Sequence, residues 1–183
     1  MNKLYCVVGI NGVGKTAISI EAASKHGCEY VSSSGVLKSA MNVSSSSDLE
    51  KFDQSELNKT YITAMLGIAE RAMSPVILDS NSVVFMEDGA EDVTQSPELY
   101  PYFATIMNIV ANPTLIKARI ELDNQSGKKV RKFSLDENDI IYRQNRSTQE
   151  AVRMANDAGI SYIELKNNGL FELAVEDLCD AVR

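Results

Sequence analysis

The stretch "VVGINGVGKTAIS", residues 7–19, decides the fold. An apolar run stops at Gly9, three glycines fall within six residues, and Lys15 and Thr16 follow before helix-forming residues begin. Residues Gly9-Ile10-Asn11-Gly12-Val13-Gly14-Lys15-Thr16 fit the spacing G-x-x-x-x-G-K-[ST] without a gap. Glycine reaches backbone angles closed to other residues, so such a loop wraps closely around phosphate groups with its N–H groups turned inward. A helix starting near Lys15 adds the positive end of its dipole at the same place. The lysine brings a positive charge to the β and γ phosphates, and the Thr16 hydroxyl is suited to magnesium. Gly9, Asn11, Gly12, Val13, Gly14, Lys15, Thr16 and Ala17 are the expected cradle for the phosphates of ATP.

Outward from this loop the pattern is strand, loop, helix, which is the context the motif requires. "KLYCVVG" predicts a strand over about residues 3–9, and "KTAISIEAASKHG" predicts a helix over 15–26 that stops at Gly27. "CEYVSS" reads as a second strand and "SGVLKSAMN" as a short helix entered through capping serines. "SELNKTYITAMLGIAERAMS" is an amphipathic helix closed by Ser74-Pro75. "PVILDS", "FATIMNIVA" and "ISYIEL" supply three more apolar strands. Helices are expected after Asn112-Pro113, across "LDENDIIYRQNRSTQEAVRMANDAG", and over "GLFELAVEDLCDAV". "VSSSSDLEKFDQS" reads as a loop or the tip of a small insertion, and the acidic "MEDGAEDVTQSPELYPY" as an exposed loop. Five short, nearly continuous apolar strands alternating with helices predict an α/β domain: a three-layer α/β/α sandwich around a five-stranded parallel sheet.

Length and composition narrow the function. A chain of 183 residues buries one proper core. Its formal net charge of −7 argues against a broad nucleic-acid or anionic-membrane surface. Cys6, Cys28 and Cys179 are widely spaced, with no Cys-x-x-Cys, and read as reduced thiols. The single histidine, His26, falls at a helix end, so no zinc ligand set is present. No apolar segment reaches membrane-spanning length, and a reducing, cytoplasmic setting is expected.

Two further features carry chemistry. Asp79 closes "VILD", the one apolar strand pattern that ends in a carboxylate. In a parallel sheet the C-terminal strand ends face the phosphate loop, so Asp79 is expected to hold magnesium together with Thr16. Nine of the eighteen Lys and Arg residues fall between Lys117 and Arg153. "DNQSGKKVRKF" within that stretch reads as a basic flap, and Arg143 and Arg146, three apart, lie on one face of the following helix. Arginines closing over a triphosphate neutralise charge that develops on its oxygens and expel water.

The phosphate loop, the strand-end aspartate and the arginine flap together resemble the P-loop nucleoside monophosphate kinases, most closely the archaeal type of adenylate kinase. The similarity runs from "KLYCVVGINGVGKT" through "SSSGVLKSAM" and "SPVILDS" to "ISYIELKNNGLFELAVEDLCDAVR". The resemblance implies one kinase domain: a core of about 1–32, 74–122 and 159–183, an acceptor-binding region of about 33–73, and a lid of about 123–146. It implies transfer of phosphate from Mg-ATP to a nucleoside monophosphate, with Lys15, Asp79, Arg119, Arg131 and Arg146 in catalytic roles. Ser33, Ser34, Gly35, Leu37, Lys38 and Ser80 would meet the acceptor, and a homo-oligomer would be in keeping with the family. The chain departs from the pattern at Asn11, where adenylate kinases often have proline, and in residues 40–58, which contain no arginine. Lys38, Lys51 and Arg71 are the alternative cations. A P-loop kinase for another nucleotide or a small alcohol, and an ATPase or nucleotide-binding switch, remain the alternatives.

Overall fold

The computed structural model describes residues 4–49, 51–86, 90–93, 96–126 and 135–182. The chain begins with strand β1 (Leu4–Val8), helix α1 (Lys15–His26), strand β2 (Glu29–Ser32) and helix α2 (Ser33–Ala40). The single turn α3 (Ser46–Leu49), the long helix α4 (Gln54–Arg71) and strand β3 (Val76–Asp79) follow. After β3 come β4 (Val83–Phe85), β5 (Glu91–Val93), a 3-10 turn (Pro97–Tyr102) and β6 (Phe103–Val110). Helices α5 (Pro113–Gln125) and α6 (Glu137–Ala158), strand β7 (Ser161–Lys166) and helix α7 (Phe171–Ala181) complete it.

Local chemistry sets most of these boundaries. Asp53, Asn112 and Asp136 each accept a backbone N–H from the first turn of α4, α5 and α6. Pro113 opens α5, where a missing N–H costs nothing. Gly27 and Gly159 close α1 and α6.

The five-stranded sheet runs in the order β2-β3-β1-β6-β7, with every pairing parallel. Every residue of β1 and β3 is buried, as strands covered on both faces must be. Alternate residues divide between two core layers. Val7, Ile18, Ile77, Met107, Ile116 and Leu178 fill the layer of α1, α5 and α7. Leu4, Cys6, Met65, Leu78, Phe103 and Met154 fill the layer of α4 and α6. Each fully buried large side chain contributes roughly 1.5–3 kcal/mol. This three-layer α/β/α arrangement is the one expected from the strand and helix pattern.

Parallel pairing brings all C-terminal strand ends to one edge. Asp79 pairs in register with Val7 and with Ser32, and Lys166 with Val110. The loop after β1, Asp79 and the loop after β7 therefore sit together.

The acidic stretch 86–102 is exposed at Glu91, Val93 and Glu98, as expected, but the reading of it as a loop is corrected by its described residues. Glu91–Val93 pairs antiparallel with Val83–Phe85, and Leu99 and Tyr100 are buried beneath the 3-10 turn. The Glu91 carboxylate accepts from the Tyr142 hydroxyl at 2.7 Å and from Arg146 Nε at 2.8 Å. Arg143 lies over the Phe85 ring, 4.9 Å from its centre. The acids look solvated in sequence because these partners lie more than fifty residues further on. The serine-rich segment likewise contains the single turn α3, with the Ser45 hydroxyl accepting the Asp48 N–H.

Candidate functional site

Leaving β1, the chain folds back through residues 9–14 and enters α1 at Lys15. A cavity of about 650 Å³ opens against this turn. Asn11, Gly12, Gly14, Lys15, Thr16 and Ala17 form one wall, and Arg119, Asp123, Asn167 and Phe171 line it from α5 and the end of β7. Lys15 is only 8% exposed, and its Nζ donates to the carbonyls of Gly9 at 2.6 Å and Ile10 at 3.1 Å. The loop's own backbone thus holds its cation inside the curve that faces the cavity.

The far side of the turn is fixed from a distance. Asn167, buried just after β7, donates through Nδ2 to the Val13 carbonyl at 2.7 Å. Arg119 donates to the same carbonyl at 3.3 Å and to the Asn167 carbonyl at 3.1 Å. Gly14 has a φ of +100°, and a Cβ there would lie 2.5 Å from Asn167 Nδ2. Backbone angle and close approach both demand glycine at that position.

At the sheet edge, Thr16 donates from Oγ1 to Asp79 Oδ2 at 2.6 Å. The Tyr30 hydroxyl donates to the same oxygen at 3.1 Å. Burial, and then the Asp79 charge, push the Tyr30 phenol above its ordinary value. The same two causes push up the thiol of Cys6. A hydroxyl and a carboxylate are hard oxygen donors, the chemistry that magnesium takes, and they sit at the mouth of the phosphate loop. Among the described residues there is no cluster of three His, Cys, Asp or Glu side chains. The pair therefore fits magnesium by the chemistry of its two oxygen donors.

Lys15, Thr16 and Arg119 line one cavity, and Asp79 stands behind Thr16, bonded to its hydroxyl. Burial lowers the Arg119 guanidinium from its ordinary value. Arg146 does not line the cavity; it pairs with Glu91 and, at 3.4 Å, with Glu150. Arg131, and the basic segment around it, lie outside the described residues. Of the expected acceptor residues, Ser33, Ser34 and Gly35 lie at the start of α2. Ser33 Oγ bonds the Tyr61 hydroxyl at 2.9 Å, Ser34 Oγ lies 3.3 Å from Ser32 Oγ, and Gly35 N donates to Ser32 Oγ. Leu37 packs against the core, Lys38 stands in the last turn of α2, and the buried Ser80 donates its N–H to Val7. Sequence reading missed Tyr30, Asn167 and Phe171. For Asn167 a signal exists: "NNG" directly follows the last strand, at the end where ligands bind in such sheets.

No family model and no curated protein matches the chain. Solved structures do. Over 98% of this chain it is similar to shikimate kinase from Bacteroides thetaiotaomicron, with TM-score 0.63, 10% identity and 97% of that chain covered. The fold is that of the P-loop kinases. Shikimate kinase from Acinetobacter baumannii in complex with shikimate matches with TM-score 0.61 and 14% identity, over 98% of this chain and 90% of that one. A sugar kinase from Janibacter sp. matches with TM-score 0.55 and 14% identity, over 98% and 94%. At such identities the likeness carries the P-loop kinase fold and no substrate.

Proposed function

We infer that the protein transfers the terminal phosphate of Mg-ATP to a small acceptor, a nucleoside monophosphate. The carrying observation is the cavity lined by the phosphate loop, Lys15, Thr16 and Arg119, with Asp79 bonded to the Thr16 hydroxyl. The loop N–H groups and Lys15 hold the β and γ phosphates. Thr16 and Asp79 would hold magnesium, which would supply neutralisation of phosphate charge. Arg119, spanning from α5 to the loop after β7, borders the nucleotide and shields it from water. Phosphoryl transfer asks for positioning and electrostatics more than covalent chemistry, which is what these groups offer. The acceptor enters beside α2, with residues 33–73 as its region and 123–146 as a lid. The cysteines are all free, in keeping with a reducing, cytoplasmic setting, and no described helix is long and apolar enough to cross a membrane.

A second reading has its own support. Arg146 is held by Glu91 and Glu150, and no arginine lies in residues 40–58 to grip an acceptor phosphate. The structures matched are a shikimate kinase and a sugar kinase, so a hydroxyl acceptor is the alternative. Asp79, bonded to Thr16 at the C-terminal edge of the sheet, is then the carboxylate assigned to take the hydroxyl proton.

One experiment separates these readings. Mg-ATP is offered with a panel of nucleoside monophosphates and small polyols, and phosphorylated product is followed. A nucleoside diphosphate product supports the first reading and a sugar-type phosphate the second. ADP formed only with water as acceptor overturns both and leaves an ATPase. Arg119→Ala is expected to lower kcat at least tenfold; an unchanged kcat removes Arg119 from the site.

A further inference from the structure

A second cleft, of about 430 Å³, opens on the flank of the molecule between β2, α2 and α4. It shares no lining residue with the nucleotide cavity. On α2 it is lined by Gly35, Val36, Ser39 and Ala40. Of the expected acceptor residues on α2, Gly35 is in that lining, whereas Ser33, Ser34, Leu37 and Lys38 are not, because helical spacing puts them on another face. The cleft thus lies within the stretch assigned to the acceptor, on the face of α2 turned away from Ser33, Ser34, Leu37 and Lys38.

Its chemistry is specific. Arg71, at the C-terminal end of α4, is the one charged side chain among the described lining residues. Among the described residues it has no hydrogen-bond or ion-pair partner. Its guanidinium lies against Gly67, one turn earlier: a Cβ on Gly67 would come 3.0 Å from Nη1 and 3.3 Å from Nη2. Glycine inside a helix costs roughly 0.5–1 kcal/mol relative to alanine. Here its bare backbone gives the guanidinium a place to lie at the cleft. Val36, Ala40, Ala64 and Ile68 supply an apolar wall, and Ser39 brings a hydroxyl. β2 is the terminal strand of the sheet, so its outer main-chain groups have no strand partner.

We propose that this cleft binds a small organic anion, its oxyanion on the Arg71 fork and its apolar body against Val36 and Ile68. A guanidinium takes phosphate and carboxylate with the same two-pronged geometry. The volume suits a molecule of small-metabolite size. The site touches the proposed function only in lying largely within residues 33–73, and its test reads binding directly and leaves the transfer reaction aside.

The test titrates glycerol 2-phosphate and isobutyrate, at matched ionic strength, into isotope-labelled Lys15→Ala protein and follows amide chemical shifts. That background removes the lysine of the phosphate loop, a competing phosphate site. Saturable shifts at Gly67, Arg71 and Ser39 in the millimolar range are expected with at least one probe. The probe that binds tighter identifies the oxyanion. Arg71→Met, an exposed substitution that keeps the apolar stem, is expected to weaken binding at least tenfold while shifts elsewhere stay put. Shifts that do not saturate, or that are equal in Arg71→Met, overturn the site.

Discussion

Lys15 does two things at once, and a substitution separates them. Its ammonium satisfies the carbonyls of Gly9 and Ile10, and it faces the cavity. Lys15→Ala is expected to leave a folded protein that is about 1–2 kcal/mol less stable, because two buried acceptors lose their partner. Nucleotide turnover should fall by roughly a thousandfold as a phosphate-binding charge disappears. Circular dichroism with a melting curve reads the first effect and an ATP turnover assay the second. A folded variant with full turnover refutes the role. Tyr30 acts one step back, through Asp79, and is a positioning residue. Tyr30→Phe removes a donor from the oxygen that Thr16 also bonds. The magnesium concentration for half-maximal nucleotide binding should rise about tenfold, the usual cost of losing a ligand's supporting bond. Equal magnesium titrations of the two proteins would show that Tyr30 is only packing.

The phosphate loop and the β4–β5 hairpin are both held by partners far along the chain, and each can be loosened alone. Gly14→Ala meets Asn167 and is strained at its φ of +100°, the latter costing about 1–2 kcal/mol. A lower melting temperature is expected. Adding Asn167→Gly should recover the contact part and leave the backbone part; no recovery at all would mean that the contact costs nothing. In the hairpin, Glu91→Ala removes the bonds to Tyr142 and Arg146. Partly exposed pairs of this kind are worth up to about 1 kcal/mol. Hydrogen exchange should quicken in Val83–Phe85 and stay slow in β1, whereas uniform quickening would mean that the hairpin is part of the core's cooperative unit. Elements differ in how far sequence reveals them. The bounds of α1 follow from helical spacing and a glycine stop, all within thirteen residues. The hairpin was illegible because its strands are three residues long and its stabilising partners are on α6.

At the scale of the molecule, α6 carries a charge network that ties the hairpin to the core. Glu150 is nearly buried between Arg146 and Arg153, at 3.4 Å and 2.5 Å. Burial alone raises its carboxyl, but the Arg153 bond and charge, joined by Arg146, outweigh that and hold it below the usual range. A carboxylate lowered in the folded state adds stability above its unfolded value, about 4.3, and loses it as pH falls through the folded value. The denaturant midpoint should therefore drop below about pH 4, and Glu150→Gln should flatten that part of the profile. An identical pH profile in the variant would rule the network out as a source of acid sensitivity. Sequence by itself determined the phosphate loop, α1, the alternation that makes a parallel sheet, and Asp79 at a strand end, because each is written in local spacing. Tertiary structure alone decided that Asn167 braces Val13, that Tyr30 bonds Asp79, and that Arg146 is held by Glu91 and away from the cavity. These partners are 154, 49 and 55 residues apart; the strand order β2-β3-β1-β6-β7 brings the first two pairs within reach, and the packing of the β4–β5 hairpin on α6 the third.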